Sequence, residues 1–333
     1  MESPLVPDLA HLRGAYAVTS KATQETPLLE SAALAKATGA ARVFVKPESL
    51  QWAGSFKVRG AYWRLTRLSP DEAKRGVVAY SSGNFAQGLA AAGEALGIPV
   101  TIVMPIDAPA AKRDATAGYG ARVVLTDHGQ RPREEVAAEK ARQIAEEEGV
   151  VLLHPFDDPE IVAGQAGAGL EALRQLEAKG AQADILFCSV GGGGLIGGVA
   201  LAFHYLSPST DIIAVEPAGF DGMGNSLAHG EIETMPMAPN SICDGLMARR
   251  PGVAPFAAVR KAGVHGLPVT DQSVRKAMKI AFERMKLVLE PSGAASLAAL
   301  LDGSVDVAGK TILVIATGGN VSLADFMKHI SNA

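Results

Sequence analysis

Short apolar, β-branched runs alternate with alanine-rich stretches of helical period along almost the whole chain, and this alternation limits the possible folds most. The runs are RVFVK, GVVAYS, PVTIVM, ARVVLT, GVVLLH, ADILFCSV, DIIAVE and KTILVIAT. Between most of them lie segments such as AQGLAAAGEALG and PREEVAAEKARQIAEEEG, each ending in glycine, a helix stop. Strands alternating with helices predict an α/β protein built from open, parallel-rich sheets with helices on both faces. Such sheets bind ligands beyond the carboxyl ends of their strands, so the residues that follow each strand are the ones to read for chemistry.

Composition narrows the function. The 333 residues are 48% apolar and 20% charged, which suits an ordinary soluble protein of one large or two moderate domains. A net charge of -4 without a basic cluster argues against nucleic-acid binding. Cys188 and Cys243 form neither a disulfide framework nor a metal quartet, and a reducing cytoplasm fits them. The N-terminal MESPLVPDLAHLRGAY has no basic start and no continuous apolar run, so it does not read as a signal peptide. Ile185 to Phe203 is uncharged but glycine-rich, and it reads as a strand, a turn and a helix rather than a membrane span.

Four strand ends carry unusual residues. After GVVAY comes SSGNFAQG, where Ser81 or Ser82 would cap the next helix, or Ser81, Ser82, Gly83 and Asn84 would present backbone N–H groups to an anion. After ADILFCSV come Gly191, Gly192, Gly193 and Gly194; four consecutive glycines are costly to order, and together with a helix start they suit a phosphate. The same stretch satisfies G-x-G-x-x-G through Gly192, Gly194 and Gly197, with Glu216 at the end of the next strand, so a nicotinamide dinucleotide and a dehydrogenase compete on this motif. Thr317 ends KTILVIAT, either as β-branched packing or as a hydroxyl partner for a heterocycle nitrogen. Glu290, before a Pro-Ser-Gly turn, reads by itself as a solvated acid at a helix start.

GSFKVRGA, residues 54–61, adds a lysine in half-buried surroundings. A buried ammonium is costly, so Lys57 is paired, reaches water, or is used chemically. A phosphate cradle, an anion nest, a ring-nitrogen partner and a half-buried lysine match the needs of pyridoxal 5′-phosphate, whose aldehyde forms a Schiff base with lysine. A dinucleotide would leave Lys57 and SSGN without a role.

In TPLL, SFKVRGA, SSGN, HPFDDPEIVAGQ, SVGGGGL, AVEP, SICDGL, EPSGA and TGGN, taken in this order, the chain resembles the fold-type II pyridoxal-phosphate enzymes, in the serine/threonine dehydratase and serine racemase branch. The resemblance implies a large cofactor domain, residues 1–78 and 157–333, and a small mobile domain, 79–156, that closes over the substrate. It implies that Lys57 carries the cofactor and removes the substrate α-proton, that Phe56 packs on the ring, and that Asn84 bonds the phenolic oxygen. Gly191 to Gly194 would hold the phosphate and Thr317 would face the pyridine nitrogen, with Glu290 also placed at the cofactor. Ser81, Ser82, Gly83 and Asn84 would receive the substrate carboxylate, and Ser82 matches the acid/base that racemases use on the opposite face. Phe85 and Ala86 replace the family's usual His-Gly and make the substrate side more apolar. Arg133 and Asp244 match positions near the substrate, and Arg133 could bind a second carboxylate, as in 3-hydroxyaspartate; otherwise it is a solvated charge.

The reaction implied is β-elimination from L-threonine or L-serine to a 2-oxo acid and ammonia, favoured by a neutral Thr317 that leaves the ring a weaker electron sink. Amino-acid racemisation and 3-hydroxyaspartate dehydration are the alternatives, and a non-catalytic binding protein on the same fold is a further one. Racemase-like members bind a divalent cation (Mg, Ca or Mn) through Glu, a backbone carbonyl and Asp. Glu216 and Phe220 fit the first two places but Gly222 takes the third, beside Asp221, and Glu216 and Asp221 also read as surface acids. A homodimer is expected from the family, and the cytoplasm from the two cysteines. With few residues after Asn320, no C-terminal regulatory domain is expected.

Overall fold

The computed structural model describes residues 5–236 and 240–333. Its ten strands are β1 (Leu29–Glu30), β2 (Arg42–Pro47), β3 (Val77–Tyr80), β4 (Val100–Pro105), β5 (Arg122–Thr126), β6 (Val151–Leu152), β7 (Ile185–Ser189), β8 (Asp211–Pro217), β9 (His265–Val269) and β10 (Thr311–Ala316). They form two sheets, a six-stranded one in the order β1-β2-β10-β7-β8-β9 and a four-stranded one in the order β5-β4-β3-β6. Every pairing is parallel except β1 with β2. The α/β, parallel-rich fold read from the sequence is therefore the fold observed.

The period-2 alternation of each strand shows why both faces are covered. Val43, Val45, Ile185, Phe187, Ile312 and Val314 enter one core, while Phe44, Leu186, Cys188, Leu313 and Ile315 enter the core on the opposite face. The smaller sheet divides in the same way, with Val77, Ala79, Ile102 and Met104 on one side and Val78 and Val103 on the other. Strands buried on both faces read as continuous apolar runs, which is how β2, β3, β4, β7, β8 and β10 were legible; β5 and β6 are partly exposed and were legible by their β-branched residues. Two strands were not: β1 has two residues, and β9, HGLPV, contains glycine and proline. GVVLLH pairs over only Val151 and Leu152.

The helix Lys57–Thr66 lies between the sheets, against the helices Asn84–Leu96 and Pro159–Ala178. Small residues allow the approach. A Cβ on Gly88 would lie 2.8 Å from the Val58 nitrogen, and one on Gly164 would lie 2.7 Å from Gly60 Cα. Among the described residues, no helix is long and apolar enough to cross a membrane.

Candidate active site

The two segments that carry Lys57 and Thr317 are joined backbone to backbone. Phe56 N donates to Thr317 O at 3.3 Å, Ser55 bridges Gly318, and Gly319 N donates to Gly54 O at 3.0 Å. Asn320 Nδ2 completes the junction by donating to Ala53 O at 2.8 Å. Ala53 sits at φ +60°, a left-handed conformation that costs a non-glycine residue about 1–3 kcal/mol and persists only where neighbours over-determine it.

Lys57 opens its helix half-buried, and its Nζ donates to Pro155 O at 3.1 Å. The ammonium lies 5.1 Å from the Phe56 ring centroid and 5.7 Å from that of Phe85. Desolvation lowers its pKa to about 8, with no carboxylate to offset the loss of water. Lys57 is thus neither paired with a carboxylate nor in open water.

Asn84 and Glu290 meet beside it. Asn84 Nδ2 donates to Glu290 Oε1 at 2.5 Å, and Asn320 Nδ2 donates to Asn84 Oδ1 at 2.8 Å, which fixes the orientation of the Asn84 amide. The expectation of a solvated Glu290 is corrected: it is 3% exposed. Its backbone does sit at the N-cap of the helix Pro291–Leu301, but its carboxyl turns to Asn84 instead of capping. Burial first, and then the negative charge of Asp244, raise its pKa to about 7 against the pull of Lys112 and Asn84. Thr317 is also buried, its hydroxyl donating to Ser292 O at 3.4 Å.

The glycine run turns directly from β7 into the helix Gly194–Leu206. Among the described residues, the amides of Gly191, Gly192, Gly193, Gly194, Leu195 and Ile196 meet no protein acceptor. A helix leaves its first N–H groups unpaired, but all of these except Gly191 belong to buried residues. A Cβ on Gly192 would strike the Phe156 ring, and Gly193 holds φ +98° with Met223 and Pro255 against it. Packing therefore requires these glycines as well as the backbone path.

SSGN is not a side-chain cap. The helix begins at Asn84 with Gly83 as its N-cap, Ser81 Oγ accepts from Gly83 N at 3.2 Å, and the amides of Ser82, Asn84 and Phe85 meet no protein acceptor among the described residues. Arg133 reaches Ser82 Oγ at 3.4 Å while pairing with Asp107 at 3.1 Å, so it is not simply a solvated charge. Asp244, 52% exposed at its side chain, pairs instead with Lys112 at 2.5 Å.

Glu216 lies at the end of β8, beside the strand that leads into the glycine run, and Phe220 follows it. Glu216 is 1% exposed and so not a surface acid, and its two oxygens accept from Met223 N and Gly224 N, both at 2.8 Å. Burial raises its pKa to about 8. Among the described residues, no group of three or more His, Cys, Asp or Glu is arranged to hold a metal.

Sequence reasoning missed Asn320 and Arg59. Arg59 lies fully buried with Lys46, Glu48 and Glu171. The signal was present in RVFVKPESL, where Lys46 and Glu48 interrupt an apolar strand and its exit.

A profile of the family described as "Pyridoxal-phosphate dependent enzyme" matches residues 19–318. The chain belongs to that family. Among its relatives, the L-threo-3-hydroxyaspartate ammonia-lyase of Saccharomyces cerevisiae is 40% identical over 308 residues, covering 92% of this chain and 91% of the relative. The L-threonine ammonia-lyase of Thermotoga maritima is 37% identical over 315 residues, covering 95% of this chain and 76% of the relative. The solved maize serine racemase superposes with a TM-score of 0.89 at 34% identity, over 98% of this chain and 97% of that one. This member of the pyridoxal-phosphate family accordingly has the fold-type II architecture, and the dinucleotide alternative raised by G-x-G-x-x-G falls away.

Proposed function

We propose that this pyridoxal-phosphate enzyme removes the β-hydroxyl of a β-hydroxy amino acid, of the L-serine or L-threonine type, to give a 2-oxo acid and ammonia. The observation that carries the proposal is Lys57, a lysine without a carboxylate partner, held beside a helix N-terminus that has spare amides. These groups fit the cofactor. The unsatisfied amides of Gly191 to Gly194 would hold its phosphate, Lys57 its aldehyde carbon, and Phe56 one side of the ring, while Asn84 with Glu290 and Thr317 would face its ring oxygen and nitrogen. When bound, the cofactor supplies the ring that accepts the electron pair of the broken Cα–H bond.

The chain's own groups supply the rest. The free amides of Ser82, Asn84 and Phe85 bind the substrate carboxylate at a helix start. Lys57 Nζ, its pKa near 8, has a substantial neutral fraction near physiological pH and takes the α-proton. Phe85, 2% exposed, excludes water on that side. Residues 79–156 act as the small closing domain, and the Lys112–Asp244 pair, which ties the helix Ala110–Gly118 to the loop before Leu246, is a contact such closure would use.

A second reading is favoured by Arg133, which brings guanidinium donors to Ser82, and by the yeast relative's name: a substrate with a second carboxylate, 3-hydroxyaspartate. Racemisation through Ser82 is the other outcome, in keeping with the maize structure. A divalent cation at Glu216 and the Phe220 carbonyl would have to use the Glu216 lone pairs that its two amide bonds leave free. The assembly we favour is a homodimer through Leu323, Met327 and Phe282, large apolar side chains left exposed around the helix Leu323–Ser331, and the compartment is the cytoplasm, where Cys188 and Cys243 stay reduced. Ammonia release from L-serine, L-threonine and 3-hydroxyaspartate, with chiral analysis of residual serine, tests the reading. No ammonia from any of the three would overturn it.

A further inference from the structure

The segment His154–Asp158 joins β6 to the helix Pro159–Ala178, and the assignments above give it no role. Every one of its residues nevertheless makes a directed contact. Pro155 O accepts from Lys57 Nζ at 3.1 Å. The Phe156 ring fills the space that a side chain at Gly192 would need, and the Phe156 Cβ and backbone lie 3.2–3.4 Å from where a Cβ at Gly194 would sit. Asp157 Oδ1 accepts from Ala254 N at 3.0 Å. Asp158 caps the following helix through Glu160 N and pairs with Arg64 of the Lys57 helix at 2.7 Å. His154 Nδ1 accepts from Asp157 N at 2.9 Å and from Phe156 N at 3.4 Å, and its Nε2 faces Tyr80 Oη at 3.5 Å.

The Phe156 N–H and the Pro155 carbonyl belong to one peptide unit. That unit is planar and trans, so its N–H and C=O point in opposite directions. Anchoring the N–H on His154 therefore sends the carbonyl the other way, towards Lys57. Only an unprotonated Nδ1 can accept two amides, which puts the ring proton on Nε2, where it can donate to Tyr80.

We propose that His154, held as the neutral Nε2–H tautomer, is a positioning residue that aims the Pro155 carbonyl at Lys57 and so fixes where the lysine nitrogen rests whenever it is not bonded to the cofactor. The proposal rests on Lys57 being the cofactor lysine. The surroundings favour the neutral ring: burial lowers its pKa, Lys57 opposes a second positive charge, and the attraction of Asp157 and Asp158 does not outweigh these.

The test is long-range ¹H–¹⁵N NMR of the histidine-labelled enzyme, with cofactor and stripped of it, taken with the variants His154→Asn and His154→Leu. The expected spectrum near neutral pH shows His154 protonated at Nε2 and bare at Nδ1 in both forms. A protonated Nδ1 would overturn the proposal. Leucine at 154 should lower kcat by about ten- to a hundredfold with KM within about threefold, because a misplaced lysine acts on the chemical step. Asparagine, whose oxygen can take the same amides, should recover most of that loss; equal loss in both variants contradicts the proposal. An error over Lys57 itself would appear separately, as cofactor attached to another residue while the tautomer is as expected.

Discussion

Lys57 and Arg59 lie two residues apart on one helix, and the fold treats their charges in opposite ways. Arg59 donates to Glu48 at 2.7 and 2.9 Å and to Glu171 at 2.7 and 2.8 Å, while Lys46 binds Glu171, Thr26 O and Gln175. Two cations face two carboxylates, and the set is neutral. Burial opposes the charges of Arg59 and Glu48, yet attraction to Glu48 and Glu171 holds Arg59 above its usual pKa, and Arg59 holds Glu48 below its own, while at Lys46 burial outweighs its carboxylates and lowers the pKa. Lys57 has one carbonyl and two aromatic rings, and its pKa falls. A buried charge with every partner supplied anchors the helix to the large sheet. A charge left short of partners is available for chemistry.

The largest effect should separate the two positions outright. Lys57→Ala should lower turnover by at least about a thousandfold, the scale of losing a positioned acid–base group, without lowering the urea midpoint of the cofactor-free protein. Arg59→Met should do the reverse. It leaves Glu48 and Glu171 with Lys46 alone and should cost about 3–5 kcal/mol in urea unfolding. If Arg59→Met were as stable as the parent, the anchoring role would be refuted.

Glu290 sharpens the contrast, because it is a buried carboxyl on the under-partnered side. A carboxyl whose folded pKa is about 7 against 4.5 stays protonated in the folded state while the unfolded chain ionises. Stability should therefore fall as pH rises from 4.5 to about 7, by up to about 3 kcal/mol. Glu290→Gln should flatten that slope in denaturation curves of the cofactor-free protein, and an unchanged slope would contradict the shift. For Lys57 the sign is opposite. Its lowered pKa means that stability of the same form should rise from about pH 8 to 10.5, and Lys57→Met should abolish the rise. The smallest effect concerns choice of substrate. Arg133→Met should lower kcat/KM for 3-hydroxyaspartate about tenfold more than for L-serine, the scale of one charge-assisted contact. Equal losses would leave Arg133 a structural partner of Asp107.

The repeating parts of the fold were legible because strands covered on both faces must be apolar throughout, and because Gly97 and Gly149, in left-handed conformations, end their helices. Lys57 and the glycine run were legible because each breaks a local rule at a strand or helix boundary, whereas Thr317 breaks none and stood out only by its place at a strand end. Glu290 misled because its neighbours describe its backbone, a helix N-cap, and say nothing of Asn84, which is 206 positions away in sequence. The Arg59 cluster was hidden for the same reason, since its members come from β2, the turn after it and two helices. Ion pairing across such distances leaves no periodic trace.

Borohydride reduction of the purified enzyme, followed by peptide mass spectrometry, tests the central assignment most directly. The account predicts one modified peptide, carrying a reduced pyridoxyl phosphate on Lys57. The same mass on another lysine, or on none, would contradict it.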